Sequence, residues 1–522
     1  MARQDRSSSP STVLVGRPRR TWGGVLASAA AVVAVVSLTA GGYGSVAAQS
    51  DSADHQGSDG QRGDVIANLW EWNWPSVAKE CTDVLGPNGY GGVQVAPPQD
   101  SLSKHDDPAV VHPWWEVYQP VDYNLTSRMG NEAQFQAMVS ACRHVGVKVY
   151  VDAVINHMTG QGDISYGGVP YTKYDYTGLY TTDDFHHSPT DCPTAGRIDD
   201  FNNYLQVTEC ELVGLSDLRT ESDKVRTTIA GYLNKLLGYG VSGFRVDAAK
   251  HIGQVDLAAI QGLLHRTVDG TKPYVALEVS PGGPGKLAPQ AFEKVGDLLG
   301  FDFASQVKNA FKSYPTGATG NITDLQTFGE DAGLLPAEKT LVFVENHDTE
   351  RGSDTLSYKD GATNILATEF MLARGYGTPE VYSSFTFTTN DASPPADANG
   401  HITDTTCDTG WACTHRVTGV ANMVGWHNYV GDTALGNWYD DGVNLIAFSR
   451  GNKGWITLNN SATAQTHTFT TGLRRGTYCD LIHGTMTGGT CTGPTVTVDA
   501  RGTATVTVPA KDALAINTKG LA

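Results

Sequence analysis

The segment Gly243-Phe244-Arg245-Val246-Asp247-Ala248-Ala249-Lys250-His251 decides how this chain folds. Its first four residues look like a short buried strand, yet Arg245 lies inside it and Asp247 follows at once. A charge in an apolar run is costly to bury unless a partner neutralises it. Side chains alternate along a strand, so Arg245 and Asp247 point to one side. The guanidinium then favours the ionised form of Asp247. A structural ion pair and a functional one are both compatible with that spacing.

Three other segments repeat the pattern. They are Val151-Asp152-Ala153-Val154-Ile155-Asn156-His157, Ala276-Leu277-Glu278-Val279 and Phe343-Val344-Glu345-Asn346-His347-Asp348. Each is a β-branched or apolar run that ends in carboxylates. Around them the candidate strands are Val65–Trp70, Gly91–Ala96, Val147–Val154, Gly243–Val246, Tyr274–Val279, Gly300–Phe303, Leu341–Val344 and Glu380–Ser383. Amphipathic stretches lie between several of them. One is Glu132–Val145; another is Ser222–Leu237, with Val225, Ile229, Tyr232, Leu233, Leu236 and Leu237 on one face. Strands alternating with helices imply a parallel sheet. Eight of them predict an α/β fold of the (β/α)8 type, a closed TIM barrel. An open doubly wound sheet is the alternative, disfavoured because no Gly-rich phosphate loop follows the first strand. In a barrel the carboxylate-bearing strand ends converge on one pocket.

Two regions break the alternation. More than sixty residues rich in Gly, Tyr, Thr and Asp separate Ile155 from Ser222. A loop of that length is functional or forms a small domain. After a third strand it projects over the face where barrels place their sites. The last ninety or so residues alternate apolar and polar side chains in Leu445–Ser449, Gly454–Leu458, Thr466–Thr470, Thr495–Val498 and Thr503–Val508. This predicts a C-terminal antiparallel β-sandwich. The expected domains are therefore a barrel over 63–156 and 222–433, an inserted domain over 157–221 and the sandwich over 434–522.

The N-terminus reads as a secretory signal peptide over 1–48. Arg3, Arg6, Arg17, Arg19 and Arg20 precede an apolar run from Val25 to Ala40, and Val46 and Ala48 have the spacing a signal peptidase reads. Arg19-Arg20 also fits a twin-arginine export signal, so the route stays open. Residues 49–62 are polar and Gly/Ser/Asp-rich, a disordered linker. An exported chain with eight cysteines predicts disulfides. The close pairs 192/210, 407/413 and 479/491 suggest local staples and leave Cys81 with Cys142; sequence alone does not fix this connectivity. The net charge of −18 argues against a nucleic-acid partner, which needs a basic surface, and permits a neutral carbohydrate. No membrane association is expected after signal cleavage, and a monomer is the default. The reading stops at Ala522 without a further module, so granule binding is not expected.

Cleaving a glycosidic bond uses such a carboxylate set. One carboxylic acid protonates the leaving oxygen, a second carboxylate attacks or activates water, and others stabilise an oxocarbenium-like transition state. Crowded negative charge raises one pKa and keeps the acid protonated.

The four carboxylate-bearing segments resemble the four signature regions of glycoside hydrolase family 13, and most closely the animal-type α-amylases that also occur as secreted bacterial enzymes. Gly89–Val95 resembles the second strand of that family, Trp114–Pro120 its aromatic platform and Cys210–Leu218 the exit of its inserted domain. The similarity spans roughly residues 64 to 515. It implies endo-hydrolysis of α-1,4 links in starch, glycogen and maltooligosaccharides with retention of configuration. A transglycosylase of the same family, or a non-catalytic glucan-binding relative, are the other readings; such binding relatives lose a carboxylate, and here all three are present.

Position by position, the resemblance makes Asp247 the nucleophile, Glu278 the acid/base and Asp348 the third carboxylate. Arg245 orients Asp247, His157 and His347 bind the sugar at the scissile bond, and Asp152 supports the site from beneath. Trp114, Trp115 and Tyr118 offer aromatic faces; two adjacent Trp on a strand cannot both point inward, so one is expected at the surface. Lys250 and His251 line the leaving-sugar subsites. A structural Ca2+ is implied, held by the Asn156 side chain, the Asp217 carboxylate and the carbonyls of Thr208 and His251, an all-oxygen set that suits calcium. Thr208 replaces the basic residue usual there. Chloride, which activates many animal-type enzymes, is not expected. Arg245 and Asn346 match its ligands, but Glu380 stands where the family has a base. The Gly-rich loop usual after the seventh strand is also missing from Glu350-Arg351-Gly352-Ser353-Asp354.

Overall fold

The computed structural model describes residues 63–162, 164–312 and 320–521. The expected signal peptide (1–48) and linker (49–62) lie outside the described residues. Eight parallel strands close into a barrel: β1 (Ile66–Leu69), β2 (Gly92–Val95), β3 (Lys148–Ala153), β4 (Gly243–Val246), β5 (Tyr274–Leu277), β6 (Asp297–Leu299), β7 (Thr340–Phe343) and β8 (Thr378–Tyr382). Each pairs with its neighbours in sequence, and β1 also pairs with β8, Ile66 opposite Glu380. The strands β1, β2, β4 and β7 are buried at every position, as a sheet covered on both faces requires. Glycine is needed at Gly243, where a Cβ would lie 2.2 Å from the Tyr274 carbonyl of the adjacent strand.

Helices connect the strands and, for α3, lie in the long connection after β3. They are α1 (Trp74–Glu80), α2 (Glu132–His144), α3 (Tyr204–Glu209), α4 (Asp223–Gly238), α5 (Gln254–Gly262), α6 (Phe301–Phe311), α7 (Ala362–Arg374) and α8 (Thr418–Val430). Helix α2 starts at a capping box, Asn131 accepting from the Gln134 N–H while the Gln134 side chain accepts from Asn131. The apolar face expected on Ser222–Leu237 is the buried face of α4.

The sixth strand was misplaced by the sequence pattern. The expected strand Gly300–Phe303 opens α6, and the strand is Asp297–Leu299. The apolar positions Phe303, Ala304, Val307, Ala310 and Phe311 recur at helical spacing and are all buried, so the short apolar run belongs to a longer 3.6-residue period. The connection from β5 to β6 is made of 3-10 turns, including Gly285–Leu287 and Pro289–Phe292.

The C-terminal region is all antiparallel. β9 (Leu435–Asp440), β10 (Leu445–Arg450), β11 (Gly454–Asn459) and β16 (Asp512–Asn517) form one sheet; β12 (Gln465–Thr470) pairs with β15 (Thr503–Val508), and β13 (Gly476–Cys479) with β14 (Thr495–Val498). The alternation expected for a half-exposed sheet fails in β10 and β11, which are buried at every position. One face, with Ile446, Phe448, Ile456 and Leu458, joins the barrel core. The other, with Leu445, Ala447 and Trp455, packs a second core within the domain. Arg450 donates to the Ala373 and Gly431 carbonyls, and the Trp426 indole donates to the Ile516 carbonyl, so polar groups at the junction are paired as well. The four disulfides pair as expected: Cys81–Cys142, Cys192–Cys210, Cys407–Cys413 and Cys479–Cys491. Among the described residues no helix is long and apolar enough to cross a membrane.

Candidate active site

The C-terminal ends of β3, β4, β5 and β7 bring the predicted carboxylates together. Asp152 lies opposite Arg245 in the register of β3 and β4. From that position the buried Arg245 Nη1 donates to Asp152 Oδ1 and to Asp247 Oδ1, each at 2.7 Å. Its Nη2 lies 3.0 Å from Glu278 Oε1. One guanidinium thus sits among three carboxylates and offsets part of their mutual repulsion. The Ala248 N–H donates to Glu278 Oε2 at 2.7 Å, and it can do so because Ala248 adopts a left-handed conformation, φ 48°.

Burial sets the direction of the carboxylate titrations here. Asp247, Glu278 and Asp348 are all pushed above the usual carboxylate range, chiefly by desolvation. Arg245 pulls each of them back, and for Glu278 the charges of Asp247 and Asp348 push further upward. Asp348 differs in opening to the cleft, its side chain 46 % exposed. The guanidinium of Arg351 pulls against its shift as well. Asp152, beneath them, rises to about 7 through desolvation.

The histidines and aromatics build the wall. His347 is sandwiched between Trp70 and Tyr118, with ring centroids 4.9 and 5.1 Å away. Burial keeps it neutral. The Tyr118 hydroxyl accepts from the Trp70 indole and donates to Asp152 Oδ2 at 2.9 Å, so the same ring both stacks and orients. His157 is buried; its Nε2 lies 3.0 Å from the Tyr118 carbonyl and its Nδ1 3.3 Å from Asn156 Nδ2. Desolvation lowers its pKa to about 4. Trp114 and Trp115 occupy a 3-10 turn, Trp114–Tyr118, not a strand. The alternation argument therefore does not apply, and both rings are half-exposed, anchored through their indole N–H groups to the Asn390 carbonyl and the Asp391 carboxylate. Lys250 donates to the carbonyls of Ser280 and Gly282 on the loop after β5.

The predicted calcium ligands also meet. Asn156 and Asp217 are in contact, Nδ2 to Oδ1 at 3.3 Å. His251 Nδ1 lies 2.9 Å from the Val207 carbonyl, next to Thr208. Among the described residues no N–H donates to the carbonyls of Thr208 or His251. The fully buried Asp217 is raised to about 7 by desolvation. Two carbonyls without an N–H donor, beside the Asn156 amide and the Asp217 carboxylate, offer the oxygen donors a hard cation takes. Sequence reasoning missed His186, whose Nδ1 lies 2.7 Å from Asp217 Oδ2 and whose Nε2 faces Glu209 and Glu221. Those carboxylates raise its pKa to about 11 against the effect of burial. The His186-His187 pair inside a loop rich in acids was the available signal.

Residues 96–268 match the sequence profile of the α-amylase catalytic domain, and residues 437–519 that of the α-amylase C-terminal all-beta domain. The chain is 44% identical to an α-amylase of Thermomonospora curvata over 89% of its length and 75% of the relative's. It is 40% identical to an α-amylase-related protein of Drosophila melanogaster, over 84% and 89%. Among solved structures, α-amylase I of Eisenia fetida, known also as a variant in complex with maltohexaose, superposes with a TM-score of 0.82 at 36% identity, covering 87% of this chain and 97% of the other. A barrel whose strand ends share one guanidinium among three carboxylates, matched over this length, belongs to the α-amylase family.

Proposed function

We propose that the protein is an endo-acting glycoside hydrolase that cleaves α-1,4-glucosidic bonds of starch, glycogen and maltooligosaccharides by double displacement with retention. The observation that carries this reading is Arg245, which bridges Asp247 and Glu278. Two carboxylates on one guanidinium are close neighbours, which favours the short separation of retaining enzymes over the wider one that seats a water between them.

Asp247, whose carboxylate form the Arg245 hydrogen bond favours against the upward push of burial, attacks the anomeric carbon. Glu278, raised by burial and by its acidic neighbours, protonates the leaving oxygen. The bond to that oxygen breaks as the Asp247 ester forms. Glu278, now a carboxylate, takes a proton from water, which hydrolyses the ester and regenerates Asp247. Asp348, open to the cleft, would hold sugar hydroxyls and favour a distorted ring. His157 and His347 would line the central subsite, Trp114, Trp115 and Tyr118 the glycone side, and Lys250 and His251 the leaving-sugar side. The relative crystallised with maltohexaose supports such a ligand.

In this reading residues 63–156 and 222–433 form the catalytic barrel, 157–221 the inserted domain and 434–522 the C-terminal domain. Calcium, held by Asn156, Asp217 and the carbonyls of Thr208 and His251, would tie the insert to the barrel. We place the chain with animal-type enzymes on its likeness to the Drosophila and Eisenia proteins, and as a secreted bacterial form on its four disulfides, its N-terminal Arg-plus-apolar pattern and its 44% and 41% identity to Thermomonospora and Streptomyces enzymes. Chloride activation is not expected. The buried Glu380, hydrogen-bonded by Asn68 at 3.0 Å, puts a carboxyl where an anion would need a base.

Soluble starch tests the reading directly. Endo-cleavage drops viscosity early relative to reducing ends, and retention yields α-anomers first. Slow viscosity loss beside rapid sugar release, or β-anomers, would refute it. Transfer products in place of free maltooligosaccharides would show a transglycosylase.

A further inference from the structure

We propose that Arg351 is the positioning residue of this cleft, locking the turn that carries His347 and Asp348 against the Trp114 platform. The inference rests on the roles given above to Asp348 and Trp114.

Arg351 closes the 3-10 turn after β7, and its side chain is almost wholly buried. Its guanidinium faces four aromatic rings, at 4.5 Å from the Trp114 and Phe387 centroids, 5.1 Å from Trp70 and 5.5 Å from Phe385. A cation over aromatic faces, away from bulk water, is held firmly. Its hydrogen bonds then run to two separate places. Nη1 donates to the His347 carbonyl and to Glu350 Oε1, and the Arg351 backbone N–H donates to the Asp348 carbonyl at 3.2 Å. Nε donates to the Asn390 carbonyl at 3.3 Å, the same carbonyl that accepts from the Trp114 indole. One side chain therefore joins the backbone bearing Asp348 to the anchor of Trp114. Glu350 is fixed in turn by the Tyr382 hydroxyl at 2.8 Å. Nη2 is buried with no hydrogen-bond acceptor, so the rings stand in for one.

A merely structural arginine would satisfy whatever acceptors lie near it. Here the side-chain acceptors are the carbonyls of His347, next to Asp348, and of Asn390, the anchor of Trp114. The planar fork matters as much as the charge, so lysine is not equivalent.

The test compares Arg351→Met and Arg351→Lys by kcat, KM and melting temperature on maltoheptaose. Maltohexaose binding is followed by tryptophan fluorescence in a Glu278→Gln background. Misplacing reacting groups by about 1 Å costs on the order of a hundredfold. Arg351→Met should therefore lose kcat by about that factor and bind severalfold more weakly. Arg351→Lys should recover binding, since a cation again covers Trp114, but not kcat. The inference is overturned if Arg351→Met keeps kcat near that of the parent whatever its melting temperature. It is equally overturned if Arg351→Lys restores both constants, and the lysine variant decides alone if the methionine one does not fold. Full activity in Asp348→Asn would instead sink the underlying reading.

Discussion

Arg245 and Arg128 are both wholly buried among carboxylates, yet they do opposite work. Arg128 faces Glu71 at 3.2 Å and Glu116 at 3.4 Å, and spends its remaining donors on the carbonyls of His112, Pro113 and Gly400 and on the Ser393 hydroxyl. It fastens the turn before Trp114 to the loop after β8. Glu71, held in a left-handed conformation at φ 57°, is fully sealed, and burial lifts its pKa to about 8. Arg245 faces carboxylates that burial also raises, but Glu278 and, beside it, Asp348 reach the cleft. A perturbed carboxylate beside a buried arginine therefore does not mark a site. Access of that carboxylate to a cleft does.

That contrast can be broken by mutation. The largest effect is expected at Glu278→Gln, which should lower kcat by about a thousandfold or more while maltohexaose still binds. Preserved turnover would place the acid elsewhere. Arg128→Met should instead destabilise by about 3–5 kcal/mol in denaturant titrations, because it strands buried carboxylates. The activity of its folded fraction should match the parent, and a collapse of kcat would erase the distinction. Glu380 gives a third, pH-dependent case. Burial holds its folded pKa at about 7, above the ordinary 4.5, so the folded state keeps a proton that the unfolded chain loses first. That stabilisation is complete below pH 4.5 and is lost as pH rises through 7. Glu380→Gln should flatten the decline and gain on the order of 3 kcal/mol at alkaline pH, with little change in acid. Thermal melts across pH check it.

Smaller effects concern ions. Chelating calcium should lower stability by about 2.7 kcal/mol relative to a hundredfold excess over Kd. Asp217→Asn should lose that response; an unchanged melting temperature with chelator would remove calcium from the site. Chloride should leave the rate unchanged in buffers that exchange it for an inert anion, and a rise with chloride would show that Glu380 does not exclude it.

The strand ends were legible because Asp152, Arg245, Glu278 and Asp348 are charges in runs that otherwise want burial. The barrel followed from periodicity, and fails where two periods overlap, as at Gly300–Phe303, whose phenylalanines serve a helix face. Trp114 and Trp115 were read by strand alternation, which a 3-10 turn does not obey. Calcium ligation came only from the family resemblance, since two of its proposed ligands are carbonyls and every residue has one. Glu71, Arg128 and Arg351 left no local signal. Their partners lie far off in sequence, Arg128 reaching Gly400 and Arg351 reaching Trp114.

The seam between β1 and β8 has a consequence for the life of the chain before it is an enzyme. Asn68 donates to Glu380 across 312 residues, and the barrel closes where β1 pairs with β8. At a synthesis rate of roughly 5–20 residues per second, the first strand waits about 15–60 s for its partner. Until then β1 presents an open, apolar hydrogen-bonding edge of the kind that recruits other chains. Long-range closure of this sort is slow to form. A chain closed in this way has reason to keep that edge shielded until its last barrel strand has been made.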